Sequence, residues 1–213
     1  YLSKHNKIVV VNVFTKAGKP PYTLSAKAFL KQCGYTNAEK LFADREKEDA
    51  DVLRGIAKDV INLGFPDALW RKKFKTLLGK FLSEFDHTYP TYRFHATTGN
   101  IAKQDFETLA QIKQKLSTIV KADNAVVFCP VGLGNHIDHL MTRKACEEQF
   151  PSPIYWSDSP YNEKAPDNTE KFHSFSFEEN LQSKLELVKG YKTQYQAMFA
   201  GGYTLKPERF YYR

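Results

Sequence analysis

No stretch of this 213-residue chain approaches the ~20 consecutive apolar residues that a membrane-spanning helix needs. Its hydrophobic and aromatic fractions, 42% and 14%, suit a globular core instead, and the length requires only one domain. Cysteine is scarce. Cys33, Cys129 and Cys146 are scattered and odd in number, with no C-x-x-C pair, which argues against a zinc knuckle, a dithiol redox site or a disulfide framework. They are expected to be reduced thiols in or near a core, which points to a reducing compartment and a cytoplasmic location. Acidic residues are the minority charge, 24 against 31 Lys and Arg, leaving a net charge of +7. The lysines are spread along the chain, however, and the densest basic cluster, RKKFK at Arg71 to Lys75, alternates with apolar residues like a solvated helix face, so no nucleic-acid partner is expected. The opening YLSKHNK lacks an initiating methionine, the apolar core of a signal peptide and a helix-start signal. The sequence reads as though it begins inside a longer structure.

What is present alternates between strand and helix patterns. KIVVVNVF (Lys7 to Phe14) is a nearly continuous β-branched run of the kind buried in a parallel sheet. From Asn37, a plausible cap, to Leu63 the apolar residues largely recur at helical spacing, with Gly64 placed as a stop. A second helix is expected around the stripe Phe74, Leu77, Leu78, Phe81, Leu82 and Phe85, and a third from about Asp105 to Ala122 with Phe106, Leu109, Ile112, Leu116 and Ile119 inward. AVVFC and PIYW read as further strands, LMTRKACEEQF as a helix, and Ser176 with Glu179 as the capping box of a helix running to about Phe199. The pattern predicts an α/β fold: a Rossmann-like, mostly parallel sheet with helices on both faces. Ligands in such folds bind beyond the carboxyl ends of the strands.

At one such end lies GNHIDH, Gly134 to His139. A helix starting near Asn135 or His136 would put His136 and His139 on the same side of its first turn, where the positive end of the helix dipole favours neutral imidazole with a lone pair to donate. The glycines at 132 and 134 allow close backbone approach to a ligand. A hydrolytic zinc site wants three protein ligands and one open position, so the motif can supply only part of one. Two histidines that merely cap a helix would give the same string.

The segment VVFCPVGLGNHIDHLMTRKA resembles the second signature of the PIG-L/LmbE-like family of zinc-dependent N-acetylglucosaminyl deacetylases, whose strand ends in a G-x-H-x-D-H-type motif. VVVNVFTKAG, REKE at Arg45 to Glu48, LGFPD before and including Asp67, and KGYKTQY fall in the family's order, so the resemblance spans almost the whole chain. The family's other signature, P-H-P-D-D at the end of its first strand, does not occur in these residues. Because that segment carries two metal ligands and the general base, the resemblance implies that this first strand lies upstream of Tyr1.

The resemblance implies that His139 is a zinc ligand, that His136 polarises the amide carbonyl or stabilises the oxyanion, and that Asp138 orients or tunes a histidine. It implies further that Arg45 and Asp67 hold sugar hydroxyls. The implied cofactor is Zn2+ or another divalent metal, and the implied partner is an amino-sugar conjugate: N-acetylglucosamine linked to inositol, malate, a glycopeptide antibiotic or another sugar. Recognition of the linked group would fall to Pro20 to Asn37 and Trp70 to Asn100, with WSDSPYNEK (Trp156 to Lys164) as a further rim. Read without the resemblance, Arg45 is a surface ion pair with acids on its own helix, and Asp67 a turn residue after Pro66. Two other functions fit the same sequence: a catalytically inactive glycan-binding protein of this fold and a basic nucleic-acid-associated domain.

Overall fold

The computed structural model describes residues 2–73, 77–120, 125–163, 169–199 and 201–213. In chain order its strands are β1 (Val9–Lys16), β2 (Asp59–Pro66), β3 (Phe128–Pro130), β4 (Ile154–Trp156), β5 (His173–Phe177) and β6 (Glu208–Tyr212). Its α-helices are α1 (Leu24–Gln32), α2 (Ala38–Val52), α3 (Asp105–Ile119), α4 (Ile137–Gln149), α5 (Leu181–Gly190) and α6 (Lys192–Met198). The fold is α/β, as expected. The chain divides into two compact units, one formed by Tyr1–Pro90 with Glu178–Pro207 and the other by Thr91–Phe177 with Glu208–Arg213.

In the first unit β1 and β2 pair in parallel, with Val10 opposite Val60, Val11 opposite Ile61 and Asn12 opposite Asn62. This corrects the long helix expected from Asn37 to Leu63. Asn37 does cap α2, accepting from the backbone of Lys40, but the helix stops at Val52 and Gly55 turns the chain with φ +80°. Val52, Ile56 and Val60 happen to fall at helical spacing, yet Val60 and Ile61 are β-branched and gain a parallel partner in β1. Gly64 is therefore a residue of a strand, with its N–H bonded to Thr15 Oγ1, and not a helix stop.

The acids of α2 anchor the C-terminal helices of the same unit. Glu48 accepts from the backbone and hydroxyl of Thr193, and Asp49 accepts from the Tyr191 hydroxyl. Burial, with Asp49 beside it, pushes the Tyr191 phenol up, so it stays a donor. A methyl group on Gly190 would meet Val52 Cγ2 at 2.4 Å, which explains a glycine at the end of α5. The helix expected from Ser176 to Phe199 is thus two helices hinged at Tyr191, and it begins only at Leu181. Ser176 does not cap it: that residue pairs with Arg209 in an antiparallel ladder, which claims its backbone.

Helix α1 lies in Pro20 to Asn37, one of the segments expected to recognise the linked group. Fully buried Thr23 caps it, accepting from the Ala26 N–H at 3.1 Å. Replacing Thr23 with Ala is expected to cost about 1 kcal/mol, read as a lower urea midpoint; an unchanged midpoint would show that the cap does not contribute.

The second expected helix does not form. Among its described residues only two short 3₁₀ turns appear, Leu78–Lys80 and Ser83–Asp86, and Leu77, Leu78, Phe81, Leu82 and Phe85 are 45% to 86% exposed. Phe74 and Lys75 lie outside the described residues, as do Ala122 and Lys164. Arg71 is no solvated helix residue either. It is buried, its Nε and Nη2 donate to the Pro66 carbonyl, and its guanidinium faces the Phe14 and Tyr89 rings. Its apolar surroundings come from strands and turns distant in sequence, which a local pattern does not reveal.

His87 closes this stretch. It is fully buried, with Nδ1 2.7 Å from the Ser83 carbonyl, so Nδ1 carries the proton, and Nε2 has no partner among the described residues. Burial pushes its pKa down, with Lys72 adding to the effect and the Ser83 bond opposing it. The folded protein therefore favours neutral His87. Its contribution to stability is complete above the ordinary histidine value of about 6.5 and is lost as pH falls through the lowered folded value. The urea midpoint is expected to drop between pH 7 and pH 5 more steeply than in His87→Phe; equal slopes would remove His87 as the cause.

In the second unit the sheet order is β3-β4-β6-β5, with β3 and β4 parallel and the other pairs antiparallel. Helices α3 and α4 pack on one another, and Leu109, Ile112, Leu116, Met141 and Ala145 are buried. Phe106, expected inward, is 52% exposed, since it lies on the side of α3 away from that stripe. Cys129 and Cys146 are buried, Cys33 is half-buried, and all three are free thiols.

Candidate active site

The turn between β3 and α4 builds the site of the second unit. Gly132, Gly134 and Asn135 have φ of +86°, +76° and +56°, a left-handed sequence that glycine adopts without steric cost. It aims two successive backbone N–H groups, those of Gly132 and Leu133, at one carboxylate oxygen, Asp158 Oδ2, at 2.6 and 2.8 Å. Arg143 braces the start of the turn, donating to the Val131 carbonyl at 2.7 Å while its Nε meets Glu147.

Asp158 follows β4. Pro130 of β3 is opposite Trp156 of β4 and the two strands run in parallel, so both chains leave the sheet at the same edge. The Asp158 side chain is wholly buried, and its other oxygen lies 2.7 Å from His139 Nδ1. A carboxylate can only accept, so Nδ1 carries a proton, and in the neutral ring Nε2 presents a lone pair. This is the carboxylate–histidine arrangement that fixes the tautomer of metal-ligating imidazoles.

His136 has the opposite arrangement. It is the N-cap of α4, and its Nδ1 accepts the Asp138 N–H at 3.3 Å. Accepting at Nδ1 leaves the proton of the neutral ring on Nε2. The two imidazoles, with centroids 5.3 Å apart, thus expose different chemistry: His136 an N–H donor, His139 a lone pair. Asp138 is buried, and its backbone fixes the His136 tautomer, while the carboxylate bonded to His139 is Asp158. Tyr92 and Tyr161 complete the wall, with Tyr161 5.8 Å from His136 and 5.2 Å from His139 by ring centroids, and Tyr92 5.6 Å from His136.

Sequence reasoning placed His136, Asp138 and His139 together, and the structure does so. It did not single out Asp158 or Tyr161, although both stand in the WSDSPYNEK rim. An acid just past a short strand was the available signal, but its value depends on β4 being the neighbour of β3. Arg45 and Asp67 belong to the first unit. Arg45 lies between the Phe29 and Phe42 faces, 5.3 and 5.4 Å from their centroids, and its Nη2 is 4.0 Å from Cys33 Sγ. Burial pushes the Cys33 thiol up and Arg45 opposes it. Asp67 caps a 3₁₀ turn by accepting the Leu69 N–H at 3.0 Å, the turn role that its position after Pro66 suggests.

No protein-family model matches this sequence, and no curated protein is similar to it in sequence. Solved structures are similar in fold. A deacetylase–teicoplanin complex from the teicoplanin biosynthesis pathway superposes with a TM-score of 0.73 at 19% identity, covering 98% of this chain and 88% of that one. The chain has the fold of that deacetylase. The A40926 pseudoaglycone deacetylase Dbv21 matches with a TM-score of 0.67 at 21% identity over 98% of this chain and 85% of its own. The zinc-inhibited form of teicoplanin deacetylase Orf2 matches with a TM-score of 0.67 at 18% identity, over 98% and 88%.

In its neutral form the oriented imidazole of His139 has the donor chemistry for one position of a divalent metal site. Among the described residues no group of three or more His, Cys, Asp or Glu side chains stands together to complete such a site. No helix among them is long and apolar enough to cross a membrane.

Proposed function

We propose that this protein is a metal-dependent amidohydrolase of the PIG-L/LmbE type, removing an N-acetyl group from an N-acetylglucosamine-type sugar or its conjugate. The observation that carries the reading is the opposed tautomers of His136 and His139 at the carboxyl end of β3. Amide hydrolysis needs a donor where negative charge develops on the carbonyl oxygen, and His136 Nε2–H is such a donor. It also needs a group that brings water to the carbon, and His139 Nε2 would hold one coordination position of the metal that does so. A divalent ion there, zinc by preference, lowers the pKa of bound water and polarises the carbonyl. Solved structures of similar fold include a deacetylase of the teicoplanin biosynthesis pathway and the A40926 pseudoaglycone deacetylase, which supports a conjugate as substrate. Arg45 and Asp67 are proposed to contact sugar hydroxyls.

The test is acetate release from N-acetylglucosamine glycosides, assayed with chelator, with stoichiometric Zn2+ and with excess Zn2+, because zinc inhibits one protein of the same fold. Metal-dependent release supports the reading. That no group of three or more His, Cys, Asp or Glu side chains stands together among the described residues favours a second reading, a glycan-binding protein without catalysis. Glycoside binding that is indifferent to chelator, with no acetate under any condition, would establish that reading instead.

A further inference from the structure

β5 (His173–Phe177) ends the sheet of the second unit: in the order β3-β4-β6-β5 its neighbour among the described strands is β6, and no described strand pairs with its other side. Every second residue of such a strand turns its N–H and C=O away from the sheet, which makes the edge a template for another chain. Proteins usually protect an edge with a charge, a proline, a bulge or a covering segment. β5 has none of these. Its sequence is HSFSF, and its register with β6 runs unbroken from His173 opposite Tyr212 to Phe177 opposite Glu208. His173, Ser174, Phe175 and Ser176 are all exposed. The edge is also held in shape, because the Phe175 ring stacks on Phe210 at 5.3 Å and His173 lies 5.4 Å from Tyr212 by ring centroids.

We propose that β5 is a self-association edge: two copies of this chain pair their β5 strands antiparallel about a two-fold axis at Phe175, joining their four-stranded sheets into one. A second copy fits because the strand complements itself. With the axis at Phe175, that residue faces its own counterpart, Ser174 faces Ser176 of the other copy, and His173 faces Phe177, so the whole strand is paired. Phe210 and Phe175 of one copy then continue into Phe175 and Phe210 of the other on one face, while serine meets serine on the opposite face. Moving the axis by one residue leaves strand residues at one end without a β5 partner. Charge sets the direction. Glu170 and Lys171 precede the strand in sequence, and Glu178 and Glu179 follow it. Antiparallel pairing brings Lys171 of each copy beside the acids of the other, whereas parallel pairing would lay Glu178 and Glu179 against their own counterparts. Arg209, whose Nη2 donates to Ser174 Oγ at 3.2 Å, adds a cation beside the same edge.

This proposal is independent of the deacetylase reading. Sedimentation velocity of the full-length protein from about 1 to about 200 μM is expected to show a monomer–dimer equilibrium, since one short strand pair makes a small interface. A monomer at every concentration would overturn the proposal. Phe175→Lys and Phe175→Glu each set a charge against its own counterpart on the axis, so each variant alone is expected to associate at least about tenfold more weakly than wild type. An equimolar mixture of the two sets lysine against glutamate and is expected to regain the dimer. Single variants that dimerise as well as wild type, or a mixture that stays monomeric, would place the contact elsewhere and overturn the proposal. Hydrogen exchange of the wild type reads the same edge without a substitution, and so decides the matter if the variants do not fold. The backbone amides of His173 to Phe177 are expected to gain protection as the concentration rises, and unchanged protection there would overturn the proposal.

Discussion

Asp158→Ala is expected to destabilise the protein by about 2 to 6 kcal/mol, because two buried backbone donors lose the acceptor they share. The Asp158 carboxylate is wholly buried and satisfies three donors: the N–H groups of Gly132 and Leu133 and His139 Nδ1. Alanine would leave two buried backbone donors unsatisfied, each a desolvation penalty of about 1 to 3 kcal/mol. It would also release the left-handed turn that those donors hold. Asp158→Asn keeps the shape and one oxygen acceptor, so a smaller loss of about 1 to 2 kcal/mol is expected for it. The check is urea unfolding of the wild type and both variants. An alanine variant as stable as wild type would mean that the turn is held by something other than this carboxylate.

The second large effect separates the two histidines. His136→Ala is expected to lower kcat on the order of 10²- to 10³-fold, the usual cost of removing one donor from a developing oxyanion, while leaving the metal response intact. His139→Ala is expected to abolish both activity and the rise in melting temperature produced by Zn2+, because ligand-linked stabilisation disappears with the ligand. Thermal unfolding with and without the metal, beside acetate release, reads both. If His139→Ala kept the zinc-induced shift, the metal would be held elsewhere. If His136→Ala kept full kcat, the donor on the carbonyl would be another group.

Two histidines and an aspartate within one short stretch make the motif conspicuous in the sequence. His136 and His139 flank the first turn of α4, so their nearness follows from helix geometry alone. The strand before them and the glycine-rich turn were equally legible, because β-branched runs and glycines act locally. The Asn37 cap of α2 was legible for the same reason.

Where local pattern and long-range pairing compete, the pattern was misleading. Val52, Ile56 and Val60 lie at helical spacing, yet Asp59–Pro66 is a strand because β1 offers it parallel hydrogen bonds, a gain invisible in that segment alone. Likewise Ser176 and Glu179 have capping-box spacing, but the β6 ladder takes the Ser176 backbone. Leu77, Leu78, Phe81, Leu82 and Phe85 satisfy a helical stripe, yet they are exposed and the segment forms only 3₁₀ turns among the described residues.

The sequence by itself therefore determined the α/β class, the position of the histidine motif at a strand end, and the grouping of His136, Asp138 and His139 within it. Only the tertiary structure decided which nitrogen of His139 is presented. That choice depends on Asp158, which reaches His139 only because β4 lies parallel to β3, whereas the Asp138 N–H that bonds His136 is two residues away in the same helix start. A residue type announces that it can donate or accept a proton, but a tautomer is set by the partner at the opposite nitrogen, and for His139 that partner is supplied by chain pairing at long range.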